Sequence, residues 1–407
     1  MGERSEERLL NRDVVLVMAA TFCFMASNML VSPLMAGFSE SLGAGGALMG
    51  LVTAAMNFVS LFCRPIAGNL SDRISKRTIV SFGSALYLAS SVWYALASDP
   101  ASLIAARMLN GVGFACCSVC LAAWMAMLLP IRHMGAGMGL YGTMNALAMA
   151  IGPAVGIRAQ QVIGYRPTFL ISAALAVLMV VSVVFVRNGG HPVSRSEGVQ
   201  PAVGRGSTGG GRPARHRLSL RSLVEPRVVP LSLVFMCFAI PYFANQSFLV
   251  EYADARGLHA DVSLFFPLYA VALLILRLAF RRLFDTKPFR MFFAIGTVAM
   301  LGMLLCLTVM DNDWALLAAA VLTAFSYGMM SSVTQAEAVV IAGKARSGIA
   351  NSTYYMGIDL GMSLGPMLGG LFYGSLPIAW FYPLFMITMP LAWIIHLSTA
   401  RFVARRG

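Results

Sequence analysis

The sequence predicts an all-α polytopic membrane protein, with twelve transmembrane helices in two six-helix halves. Three observations predict it. Of 407 residues, 58% are hydrophobic and only 12% charged, with a mean hydropathy of +0.75, a balance outside the range of soluble globular domains. Apolar stretches of about 20 residues or more recur from end to end, each long enough to cross a hydrocarbon core of about 30 Å as a helix. A polar, basic stretch near the middle of the chain divides these spans six and six, and the two sets repeat one another.

In order, the first six spans are expected at 14–37, 47–70, 78–97, 101–129, 135–158 and 166–186, and the second six at 229–250, 261–283, 289–309, 314–342, 347–374 and 377–398. The first is too long for the apolar core of a signal peptide and leads into further spans, so it is expected to stay as an anchor. A net charge of +13 raises the question of a nucleic-acid partner, and the position of the charge answers it. With a cytoplasmic N-terminus, 24 of the 30 Lys and Arg fall on the cytoplasmic side, three fall outside (Arg158, Arg166, Arg256) and three lie within spans. This is a positive-inside signature. It predicts a multi-pass protein of the cell (cytoplasmic) membrane with both termini cytoplasmic, the basic excess meeting anionic lipid and no nucleic acid.

Three segments are expected: 1–186 as the first six-helix bundle, 187–228 as a disordered basic cytoplasmic linker, and 229–407 as the second bundle. The linker is rich in Gly, Ser, Pro and Arg, including Gly209-Gly210-Gly211-Arg212-Pro213, and lacks the Gly-Lys-Ser/Thr of a nucleotide-binding loop. An ATP-driven pump is disfavoured. All seven cysteines lie in apolar spans; Cys117 and Cys120 have CxxC spacing without a nearby His or second pair, so helix packing is expected rather than a metal site. No cofactor is implied. A membrane-embedded enzyme finds no support either, for want of a His-rich cluster, a Ser-His-Asp set at one depth or a nucleotide motif.

The repeat has a constant offset of 213 residues: Arg64 matches Arg277, Asp72 matches Asp285, and Gly152-Pro153 matches Gly365-Pro366. Gly156 with Gly369, Gly135 with Gly348 and Tyr141 with Tyr354 keep the same offset. Parallel repeats of this kind place a pseudo-twofold along the membrane normal and a site between the halves near midplane.

The segment from Gly68 through Asp72, Arg73, Ser75, Lys76 and Arg77 resembles motif A of the major facilitator superfamily, with Ser75 standing where that family prefers Gly. An aspartate followed by a basic cluster at a helix end can latch to a neighbouring helix terminus, and the resemblance implies a conformational gate. A basic loop that merely sets topology is the plainer alternative. The second copy is worn down but keeps Asp285. Arg107, with Gly111 and Gly113, is similar to motif B, which implies a link to proton transfer; snorkelling to the surface is the alternative. Gly152, Pro153 and Gly156 resemble the antiporter motif of the fifth span, echoed by Gly365, Pro366 and Gly369 in the eleventh, and imply helix bending and export. The chain is thus similar to drug:proton antiporter-like exporters of that superfamily.

Among the acids, Asp359 and Glu337 sit well inside spans. Ser352, Tyr355 and Ser363 share a helix face with Asp359, and Gly357, Gly361, Gly365 and Gly369 form a stripe nearly opposite. One face is expected to pack and the other to meet a cavity or polar partner. Asp359 is the proposed proton carrier, with pairing to an arginine as the structural alternative; Glu337 is open between coupling and an interhelical pair. Asn28, Asn57, Asn145, Asn245, Gln246 and Tyr355 are candidate substrate contacts, the amides equally able to bond helix to helix. Where drug antiporters often carry an acid in the first span, this chain has Asn28, which weighs against recognition of cationic drugs. The expectation is a secondary transporter, not an enzyme, moving a small molecule with protons as coupling ion and acting as a monomer. Uptake symport, facilitated diffusion and a non-transporting sensor remain alternatives.

Overall fold

The computed structural model describes residues 10–71, 73–130, 134–191, 224–258, 260–279, 287–342 and 347–403. Among them the chain forms twelve helical spans. The first half contains α1 (Arg12–Ser41), α2 (Gly46–Ser71), α3 (Lys76–Leu96), α4 (Pro100–Leu128), α5 (Met134–Ile163) and α6 (Tyr165–Val184). The second contains α7 (Val229–Ala255), α8 (Phe265–Ala279), α9 (Phe289–Thr308), α10 (Asp313–Ala342), α11 (Ser347–Ser375) and α12 (Ile378–Ser398). Ten of these are long and apolar enough to cross a membrane by themselves. The other two are α8, short among the described residues, and the glycine-rich α11.

Local chemistry explains several helix starts. Asn11, Ser75, Asp99 and Asn312 each accept a hydrogen bond from a backbone N–H of the first turn of α1, α3, α4 and α10, and Pro100 occupies a position where no N–H is needed. Gly164, with φ of +83°, makes the reversal between α5 and α6. Three helices are interrupted. Pro33 introduces a 3-10 turn in α1, a π-helical segment at Ala324–Gly328 breaks α10, and α12 is divided after Phe385.

The two halves repeat in their packing as well as in sequence. Gly152 and Gly156 bring α5 against α1, where a Cβ at Gly156 would run into the carbonyl of Leu30. Gly365 and Gly369 bring α11 against α7 in the same way, meeting Ile240, Ala244 and Phe248. The Gly-Pro segments are therefore sites of close helix approach. The stripe of Gly357, Gly361 and Gly365 lies along Ser232, Ala239 and Ile240, so this is the packing face of α11.

For orientation, the bundle end bearing the start of α1 and the α2–α3 connection is called the terminus-side end, and the opposite end the distal end. Buried apolar side chains fall into two clusters. One joins the second half to the distal parts of the first, through Leu30, Leu34, Met49, Tyr94, Leu103, Ile157 and Phe169. The other belongs to the terminus-side part of the first half alone, with Val14, Val17, Phe24, Val80, Trp124, Met179 and Val183. The halves are fused at the distal end and separate towards the other.

Candidate functional site

The seam between α2 and α11 carries the clearest functional geometry. The helices run antiparallel, and at the distal end only glycine permits their approach: Gly46 meets Gly374, and Gly50 meets Gly370 and the carbonyl of Pro366. Farther along, the Asn57 side-chain amide donates to the carbonyl of Met362 at 3.2 Å. Next, the Arg64 guanidinium pairs with the Asp359 carboxylate at 3.2 Å, with side-chain exposures of 22% and 5%. Arg64 also reaches Ser60 at 3.4 Å and lies over the Phe114 ring at 5.5 Å. A buried carboxylate thus meets a half-buried cation from the opposite half, and each is costly in an apolar interior without the other.

One turn beyond the ion pair the seam opens. A Cβ on Gly68 would have nothing within 4 Å, and Ser352, at the matching level of α11, is exposed. Tyr355 is 41% exposed and accepts a hydrogen bond from the Gln335 amide of α10 at 3.3 Å. The polar face of Ser352, Tyr355 and Asp359 therefore turns towards a gap between the halves, with the ion pair at its inner limit.

Arg107 does not snorkel. It is buried in α4 and donates to the carbonyls of Val52 at 3.3 Å and Thr53 at 2.7 Å in α2, with the Met56 sulfur at 3.6 Å. Gly111 and Gly113 make room for that contact by letting α4 approach α2 and α3. Arg107 is separate from the Arg64–Asp359 pair.

The motif A segment is placed in part, because Asp72 and its counterpart Asp285 lie outside the described residues. Arg73 is exposed. Lys76 is buried and its ammonium donates to the Ser71 carbonyl at 2.9 Å, while Arg77 donates to the Val184 carbonyl at 2.8 Å. Ser75 has φ of −61° and caps α3, so the position where the family prefers Gly requires no glycine. Backbone N–H groups of Lys76 and Arg77 bond the carbonyls of Gly190 and Gly189 at 3.1 Å. Asp13 accepts from Arg187 and Asn188 at 3.1 and 2.9 Å, so the chain leaving α6 is tied under the first half.

The remaining candidates scatter. Glu337 faces a separate cleft of about 270 Å³ with Lys287, Phe289 and Phe292, away from Asp359. Asn245 accepts from the Tyr382 hydroxyl at 2.8 Å within the second half, and Asn145 bonds the Tyr141 carbonyl of its own helix at 3.0 Å. The Gln246 amide reaches the Met29 sulfur at 3.5 Å across the halves, and Asn28 is buried in α1. Asn57 alone among the amides lies on the seam with Asp359.

Two residues of the inter-half contacts escape a reading by span. Arg64 counts in the sequence only as a landmark of the repeat, although an arginine inside a span is itself a signal. Glu251 falls just past the apolar stretch expected to end at residue 250. In the structure α7 runs on to Ala255, and Glu251, near its distal end, is 5% exposed. Its Oε1 accepts from the Gly37 N–H of α1 at 2.6 Å.

The chain is 21% identical over 369 residues to Quinolone resistance protein NorA of Staphylococcus aureus, covering 89% of this chain and 90% of that one. It is 25% identical over 157 residues to Multidrug resistance protein 2 of Bacillus subtilis, covering 39% of each. The match to that protein thus spans less than half of its length. The fold superposes on a mutant form of the peptide transporter POT with a TM-score of 0.76 at 14% identity, covering 96% of this chain and 95% of the other. The family model described as Major Facilitator Superfamily matches residues 17–311, and with its twelve-helix fold in two halves this chain belongs to that superfamily of membrane transporters.

Proposed function

We propose that this chain is a secondary active transporter that exports a small molecule in exchange for protons by alternating access. The observation that carries the reading is the Arg64–Asp359 pair: a buried acid held by a cation from the other half, where a closed seam gives way to an open one. A proton arriving on Asp359 removes the charge that holds Arg64, so proton uptake and separation of the halves are linked at one contact. Arg107 acts on α2 through its carbonyl bonds and so modulates the helix that bears Arg64. The motif A residues Arg73, Lys76 and Arg77, with Asp72, gate the terminus-side end, and Asp285 is the remnant of the second gate. Asn57 and Tyr355 flank the ion pair and are proposed substrate contacts, with Asn28, Asn145, Asn245 and Gln246 as further polar lining. Glu337, which lines a separate cleft with Lys287, is given no part in this coupling.

The positive-inside distribution supports a cytoplasmic terminus-side end, in the cell membrane, with anionic lipid against its basic loops. Relatives named for quinolone and multidrug resistance favour export. The protein is proposed to work as a monomer, without cofactor or catalysis.

The test is reconstitution into proteoliposomes with a trapped pH dye and addition of a panel of candidate solutes to wild type and Asp359→Asn. Wild type is expected to move protons in response to one solute class, and the variant to fold yet move none. Equal proton movement in both would remove Asp359 from coupling. Flux compared in inside-out and right-side-out vesicles separates export from uptake.

A further inference from the structure

The distal end holds a second protonatable group that the Asp359 reading does not use. Between α1, α6, α7 and α11 lies a cavity of about 260 Å³ lined by Gly37, Glu40, Tyr165, Glu251, Asp254 and Tyr373. Three of these are carboxylic acids and none is basic. The nearest cation in sequence, Arg256, is engaged elsewhere, with the Tyr252 hydroxyl at 3.0 Å, the Thr308 carbonyl at 2.5 Å and Asp311 at 3.9 Å. Glu251 bridges the two halves through its hydrogen bond from Gly37, but its other oxygen, Oε2, is buried and has no hydrogen-bond partner.

We propose that Glu251 is a proton-binding site that latches the distal end: protonated on Oε2 it closes α1 against α7, and ionised it releases them. An ionised carboxylate in the closed arrangement would leave one oxygen desolvated without a donor, beside two further acids. A neutral carboxyl keeps the Gly37 bond through Oε1 and carries no such charge. Once ionised, Glu251 is stable only with water at Oε2, and water enters only if the helices part. The groups facing Glu251 agree on the sign. Glu40 of α1 and Asp254 of α7 are acids, Tyr165 of α6 and Tyr373 of α11 are phenols, and Tyr382 of α12 gives its hydroxyl to Asn245. Tyr373 itself donates to Glu40 at 3.4 Å. The proposal rests on the alternating-access reading and adds to it a site on the face opposite the Arg64–Asp359 pair.

The position is sterically exact in its demand on Gly37. A Cβ there would stand 2.5 Å from the Tyr165 hydroxyl and 2.6 Å from Glu251 Oε1, so alanine cannot coexist with the latch.

The experiment is thiol labelling of Val250→Cys, a buried residue lining the cavity, in protein held in lipid nanodiscs and read at that position by mass spectrometry between pH 5 and 8. Each rate is divided by that of the same variant carrying Glu251→Gln, which cancels the pH dependence of the thiol. The ratio is expected to rise with pH by up to about tenfold per unit, as for release of one proton. Gly37→Ala in the Val250→Cys background is expected to label fast at every pH, which keeps the test valid should Glu251→Gln fold poorly. A ratio independent of pH, with Gly37→Ala fast, would overturn Glu251 as the latch and leave alternating access standing. Slow labelling at every pH in all variants would overturn both, because the distal end would then never open.

Discussion

Arg64 and Asp359 stabilise each other only as a pair. Arg64→Ala leaves a carboxylate that is 5% exposed without its cation, and Arg64 is itself partly solvated, so a loss of about 2 kcal/mol is expected. Asp359→Asn should restore much of that loss when combined with Arg64→Ala, a non-additive cycle measurable by thermal unfolding in detergent. Additive losses would mean that the two do not interact in the folded protein. Asp359 was legible in the sequence because an acid in mid-span has few bland explanations. Its partner was not, because nothing local to residues 57–70 says which helix α2 will face. Glu251 was hidden for a different reason. Charged Asp254 and Arg256 follow it, so the apolar stretch reads as ending at Val250, whereas α7 continues to Ala255 and Glu251 accepts from the Gly37 N–H.

At the scale of helices, glycines divide into those that pack against a neighbouring helix and those, Gly68 of α2 and Gly142 of α5, with open space where a Cβ would stand. Gly370 lies against the Gly46 carbonyl and the Gly50 backbone, so Gly370→Val cannot be accommodated without parting α2 from α11 at the distal end. It should destabilise this conformation by about 1–3 kcal/mol and raise labelling of Val250→Cys. Gly68 has open space around its Cα. Gly68→Leu should therefore change unfolding by less than about 0.5 kcal/mol while abolishing transport, if this helix face closes on α11 in another state. Transport at the wild-type rate would remove Gly68 from the gate. The twelve spans were readable because lipid demands long apolar helices, and the 213-residue repeat marked the Gly-Pro segments of α5 and α11 as matching sites of helix approach without naming α1 and α7 as their partners. The π-helical break at Ala324–Gly328 was not readable: no proline or glycine pair marks it, and aromatic stacking of Tyr327 on Tyr242 at 3.9 Å is a tertiary contact.

For the whole molecule, the inter-half contacts that close the distal end include Gly37 with Glu251, Gly46 with Gly374, Gly50 with Gly370, and Arg158 with Asp261 at 4.0 Å. No comparable approach is present at Gly68. The structure is thus closed distally and open at the terminus side, with the ion pair where the two regimes meet. Under the proposed alternating access, conversion to a second state must break the distal set and bring Gly68 towards α11, so the two ends should move in opposite senses. The most direct measurement of that claim is a pair of spin–spin distances in one preparation. One pair of labels is placed at Leu70 and Ser352, on the terminus-side ends of α2 and α11. The other is placed at Ser41 and Ser375, on the distal ends of α1 and α11. Alternating access predicts two populations in which a long terminus-side distance accompanies a short distal one and the reverse, exchanging weight with pH. A single pair of distances at every pH, or two distances that lengthen together, would contradict it.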